Sequence, residues 1–93
     1  MKLELITRVF EGISGARKDG GAWLFPEEVE VSLYVSLPAE VLTLPKVSRV
    51  LPTAELLTVE THRGERFYFA PEDLSGVKVG STRERDRGAG FVR

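Results

Sequence analysis

Few residues in this 93-residue chain could do chemistry. His62 is the single histidine. A histidine base needs a nucleophile to activate or a group to orient it. Its surroundings, His62-Arg63-Gly64-Glu65, read instead as an exposed hairpin turn. Glu28 and Glu30 share one face of a strand. Two acids there serve solubility more readily than catalysis, which needs an environment that shifts at least one pKa. Cysteine is absent, so there are no disulfides and no thiolate metal ligands. With one histidine, a zinc site would need several carboxylates. Ser75-Gly76-Val77-Lys78 has the form S-x-x-K but lacks the S-D-N and K-T-G elements that accompany it in enzymes. The glycines between positions 12 and 21 have no phosphate-binding spacing and lead into no predicted helix. The chain reads as a non-enzyme, with no cofactor and no metal.

Binding chemistry has more to offer. Arg63 and Arg66 precede Phe67 and Tyr68, and Arg83, Arg85 and Arg87 lie near the C-terminal end. Cations interleaved with aromatic rings can hold a phosphate backbone while bases stack on the rings. Trp23 and Tyr34 extend the aromatic set. The plainer use of these rings is to fill a small core and cover an edge. The candidate binding residues are therefore Trp23, Tyr34, Arg63, Arg66, Tyr68, Arg83, Arg85 and Arg87.

The net charge of −1 argues against a nucleic-acid coat or a polybasic membrane binder as the default. The charge is uneven. Positions 1–80 hold nine Lys and Arg against twelve Asp and Glu, a net of −3, whereas positions 81–93 hold four Arg against two acids, a net of +2. No apolar run is long enough to span a bilayer, and Glu4 and Arg8 interrupt the first apolar stretch, which does not read as a signal peptide. With no cysteine, the expected compartment is the cytoplasm. Asn and Gln are absent and Met occurs only at position 1. That pattern is expected of a thermophile, with a GC-rich genome as the alternative source of the bias.

The elements that must position these residues are mostly strands. Glu28–Leu37 alternates Val29, Val31, Leu33, Val35 and Leu37 with polar residues or Tyr34, the period of a half-buried strand. Lys2–Phe10 reads as a first strand with Leu3, Leu5, Thr7 and Val9 on one face. EGISGARKDGGA reads as a loop with an exposed turn at Arg17–Gly20. Glu40–Leu44 fits one helical turn or a short strand, with Thr43 and the flanking prolines favouring the strand, and Lys46–Leu51 is a short strand boxed by Pro45 and Pro52. Glu55–Thr61 and Arg66–Ala70 make a hairpin around Gly64. Pro71–Leu74 suits one helical or 3-10 turn closed by Gly76, and Val77–Val79 a last strand. The expected core is Leu5, Val31, Leu33, Val35, Val59, Phe67 and Phe69.

Two elements are similar to those of the PilZ family, which binds cyclic di-GMP on a small β-barrel. Arg63-Gly64-Glu65-Arg66 is one residue shorter than its RxxxR element, and Lys78 stands where its D/N-x-S-x-x-G element ends in glycine. A broader resemblance covers residues 41–79. VLTLPKVSRV followed by ELLTVETHRGERFYF resembles the strand, strand and hairpin rhythm of bacterial pleckstrin-homology-like domains. The resemblance implies a small β-barrel binding scaffold and carries no catalytic residue. Those domains close with an amphipathic helix, whereas STRERDRGAGFVR contains Gly88 and Gly90.

The expected fold is all-β. It comprises six to seven short antiparallel strands in a small open barrel or two-layer sandwich, with at most one short helical turn. Positions 1–80 form one β domain and 81–93 a flexible basic tail. The expected function is a non-enzymatic binding module acting on a protein partner or on itself, as a homodimer. The alternatives are RNA or single-stranded DNA binding through Arg63–Tyr68 and the arginine tail, and an enzyme of unrecognised type.

Overall fold

A computed structural model describes residues 1–81. Of the expected tail at 81–93, all but Ser81, and with it Arg83, Arg85 and Arg87, lies outside the described residues. The fold is all-β, and its eight described strands form two open antiparallel sheets. In chain order the elements are α1 (Leu3–Glu11), β1 (Arg17–Asp19), β2 (Ala22–Leu24), β3 (Val29–Ser36), β4 (Val41–Leu44), β5 (Val47–Pro52), β6 (Leu57–Thr61), β7 (Arg66–Phe69), a 3-10 turn (Pro71–Asp73) and β8 (Leu74–Ser81). One sheet has the order β1-β2-β5-β6-β7, the other β4-β3-β8.

The alternation in β3 does what its pattern predicts. Val31, Leu33 and Val35 are buried, while Glu30, Ser32 and Tyr34 are half-buried on the outer face. β3 is central in its sheet, pairing with β4 from Leu33↔Leu44 to Ser36↔Val41 and with β8 from Val29↔Ser81 to Val35↔Leu74. The inward residues meet Trp23, Val47, Val50, Leu57 and Val59 of the other sheet in one core. Each layer thus supplies the apolar face that the other must cover.

The first element is a helix, not a strand. This nine-residue helix also exceeds the single short helical turn expected. Leu3, Leu5, Thr7 and Val9 fit a period of two, but Leu3, Ile6, Phe10 and Ile13 fit a helical face equally well. Burial decides between them. Ile6 and Phe10 are fully buried, and Leu5, expected in the core, is half exposed. Gly12 caps the C-terminal end of the helix. The α-amino group of Met1 donates to the carbonyls of Pro71 and Leu74, both at 2.9 Å. At the other end the Phe10 ring meets Phe25 edge-on, with centroids 5.5 Å apart, and lies 6.4 Å from Trp23. The helix therefore spans from the 3-10 turn to β2.

Two further corrections concern the glycines. Part of the expected loop is a hairpin, with Asp19 opposite Ala22 across Gly20-Gly21, both at positive φ as such a two-residue turn requires. Gly76 does not close the 3-10 turn. It sits inside β8 opposite Tyr34, whose ring carbon would lie 3.4 Å from any Cβ placed there. The last strand accordingly runs from Leu74 to Ser81 rather than from Val77 to Val79. Phe67 and Phe69, expected in the core, are half-buried against its margin.

Candidate functional site

The outer face of the five-stranded sheet carries the most organised polar chemistry. Cross-strand register places Arg17 (β1) beside Leu24 (β2), Leu24 beside Arg49 (β5), Arg49 beside Glu60 (β6) and Glu60 beside Arg66 (β7). One transverse row therefore holds three arginines and one carboxylate, a net of 3 − 1 = +2. The next row carries Leu51, Thr58 and Tyr68, paired in that order across β5, β6 and β7.

A bulge builds this row. Between Val47 and Arg49 the β5–β6 register shifts, so Arg49, not Ser48, lies opposite Glu60. Ser48 is held in the bulge by its Oγ donating to the Glu60 carbonyl (3.1 Å) and by its carbonyl accepting from the Phe25 amide (2.9 Å). Val47 and Val50 can then both point inward, and Arg49 outward.

Glu60 organises the cations. Its Oε2 accepts from Arg49 Nη1 and lies 3.3 Å from Nη2 of Arg66, as it does from the Arg49 nitrogen. Arg66 Nη1 also donates a long hydrogen bond, 3.5 Å, to the Tyr68 hydroxyl. The hydroxyl, and after it the Glu60 carboxylate, push the Arg66 guanidinium above its ordinary value, so it stays cationic at any working pH. Each guanidinium has five N–H donors, and these bonds occupy only some of them on Arg49 and Arg66. Tyr68 is 57% exposed.

The structure brings only part of the expected binding set together. Arg66 and Tyr68 lie on this face, and Arg63 is exposed in the adjacent β6–β7 turn, which Gly64 closes at positive φ. Trp23 does not belong to it. It is 6% exposed, faces the core, and has the Lys18 ammonium 5.4 Å from its ring centroid. Tyr34 lies on the outer face of the other sheet. Arg17, Arg49 and Glu60 were missed. Arg17 sits in a segment that reads as a loop, and strict alternation along Lys46–Leu51 groups Arg49 with the buried Val47.

The sheets also gather the acids and histidine that look scattered in the chain. Glu27, Glu28, Val29, Glu30, Lys46 and His62 line a solvent-open recess of about 410 Å³. The His62 amide donates to the Lys46 carbonyl (2.8 Å), drawing the β6–β7 turn onto the β4–β5 turn. Lys46 takes a positive φ of 55° there. Among the described residues no hydroxyl side chain lines the recess to act as a nucleophile. Among the described residues no three His, Asp or Glu side chains are placed to hold a metal ion. No helix among them is long and apolar enough to cross a membrane.

No family model, no curated protein and no solved structure matches this chain.

Proposed function

We propose that this chain is a non-enzymatic binding module whose working surface is the outer face of the five-stranded sheet, and that its partner is anionic. The observation that carries this reading is the row of Arg17, Arg49 and Arg66 around Glu60. A surface kept polar only for solubility mixes signs. Here three cations from three strands line up, and the single acid holds two of them in place. Arginine in a fixed orientation is the side chain suited to planar, bidentate recognition of carboxylate or phosphate. The acidic remainder of the chain works against loose adhesion of polyanions elsewhere on the surface.

Retention on immobilised heparin tests this. The wild type should be held at low ionic strength and released by salt. Arg17→Ser combined with Arg66→Ser should elute at distinctly lower salt, while leaving the Arg49–Glu60 pair intact. Lys2→Ser with Arg8→Ser removes the same charge from α1 and its N-cap and should leave retention nearly unchanged. Equal loss in both double variants would show that net charge, not the row, holds the polyanion, and the reading would fail.

A further inference from the structure

Resting on the anion-binding reading of this face, we infer that its ligand is a single-stranded nucleic acid, lying across the strands with phosphates along the arginine row and a base stacked on Tyr68. Three observations combine.

The first is spacing. Strands in a sheet lie about 4.8 Å apart. The arginines occupy the first, third and fifth positions of the order β1-β2-β5-β6-β7. Their backbone positions are therefore repeated at about 10 Å along a track of about 19 Å, and the shared 3.3 Å contacts to Glu60 draw the guanidiniums of Arg49 and Arg66 together at one end of it. An extended polyanion can reach both Arg17 and the Arg49–Arg66 cluster at once, whereas a lone phosphate or carboxylate cannot.

The second is the neighbouring row. Tyr68 stands on the same outer face as Arg66, two residues along β7, with more than half its surface exposed. Leu51 and Thr58 continue that row. An acidic peptide or a sulfated polysaccharide can be held by the cations alone. Unpaired bases need both, because stacking on an aromatic face supplies binding that charge alone does not.

The third is shape. The five strands present an open face, and α1 turns Ile6 and Phe10 into the core rather than projecting toward a groove. A surface of this form meets splayed single strands better than the grooves of a duplex, which admit a helix or a two-stranded ribbon. Three guanidiniums give a sequence-tolerant contact whose affinity falls with salt at a slope of about −0.7 per phosphate neutralised.

The test is fluorescence anisotropy with labelled single strands of uridine or thymidine and with a duplex of equal length, alongside the heparin column. The wild type should bind the single strands more tightly than the duplex. Tyr68→Ala should weaken single-strand binding by between about 5-fold and about 100-fold, yet change heparin retention no more than Tyr68→Phe, which loses the same bond to Arg66. Tyr68→Phe keeps the ring and should retain most of the affinity, which separates loss of stacking from loss of fold. Single-strand affinity unchanged in Tyr68→Ala, or preference for the duplex, would overturn this inference while heparin retention left the anion-binding face standing. Failure to hold either heparin or the oligonucleotides would overturn both.

Discussion

Replacing Glu60 by Gln removes the one negative charge from the middle of the arginine row, and it should move stability and binding in opposite directions. The wild-type row carries three arginines less one carboxylate, a net of +2, and Glu60→Gln raises it to +3. The stability cost comes mainly from the Arg49 pair, at 3.3 Å and with both side chains about one-third exposed. Pairs of that kind contribute about 0.2–1 kcal/mol, and the amide oxygen still accepts a hydrogen bond, so the expected loss is about 0.5 kcal/mol. For a domain of this size that lowers Tm by about 2–4 °C. The binding gain follows from counterion release. With two uncompensated cations the slope of log K against log salt should be about −1.4, and with three about −2.1. The difference is about fivefold in affinity at about 0.1 M salt. The assay is a salt titration of oligonucleotide anisotropy for both proteins, with a thermal melt of each. A variant that melts slightly lower, binds more tightly and shows the steeper slope is the expected result. Weaker binding with an unchanged slope would refute the reasoning, because the carboxylate would then not be competing with phosphate for the arginines.

The remaining predictions concern the frame around this face. Leu33 is fully buried between Leu44 and Val77. Leu33→Asp forfeits about 2 kcal/mol of apolar burial and adds several kcal/mol for a buried charge. Against a total stability of about 5–15 kcal/mol, that should abolish the urea-unfolding transition, while Tyr34→Asp on the outer face should keep it. Phe10→Ala should cost about 3–5 kcal/mol in the same measurement. Leu5→Ser should change stability by no more than about 0.5 kcal/mol; a large loss there would return the first segment to a strand. Because the Arg66 pKa lies above its already high ordinary value, its contribution is complete below that value and is lost only as pH rises past it. Heparin retention should therefore be flat between about pH 6 and about pH 9, and a fall across that range would assign the binding to a titrating group outside the row.

What could be read from the chain was whatever local pattern settles alone. The period of two in Glu28–Leu37 sets which residues of β3 face the core, because one register slip would turn every apolar side chain to water. The β6–β7 hairpin and the 3-10 turn at Pro71 follow from Gly64 and Pro71 in short-range geometry. The first segment was not decidable locally, since its apolar residues satisfy both periods, and the burial of Ile6 and Phe10 in the core, with Phe10 meeting the Phe25 and Trp23 rings, selects the helix.

The arginine row required the tertiary structure for a different reason. Its members lie on four strands separated by as many as 49 positions, and they meet only through the non-local β2–β5 pairing and the bulge at Ser48. Arg66 and Tyr68 could be nominated from the chain because two residues apart on one strand means the same face. Arg17 and Arg49 could not. Sequence by itself determined a β-rich chain of open-barrel or sandwich type with a hairpin bearing Arg66 and Tyr68, because side-chain alternation and turn chemistry act over a few residues. Tertiary structure decided the partition into two sheets, the helix and the cationic row, because long-range register and a one-residue bulge choose which distant side chains share a face.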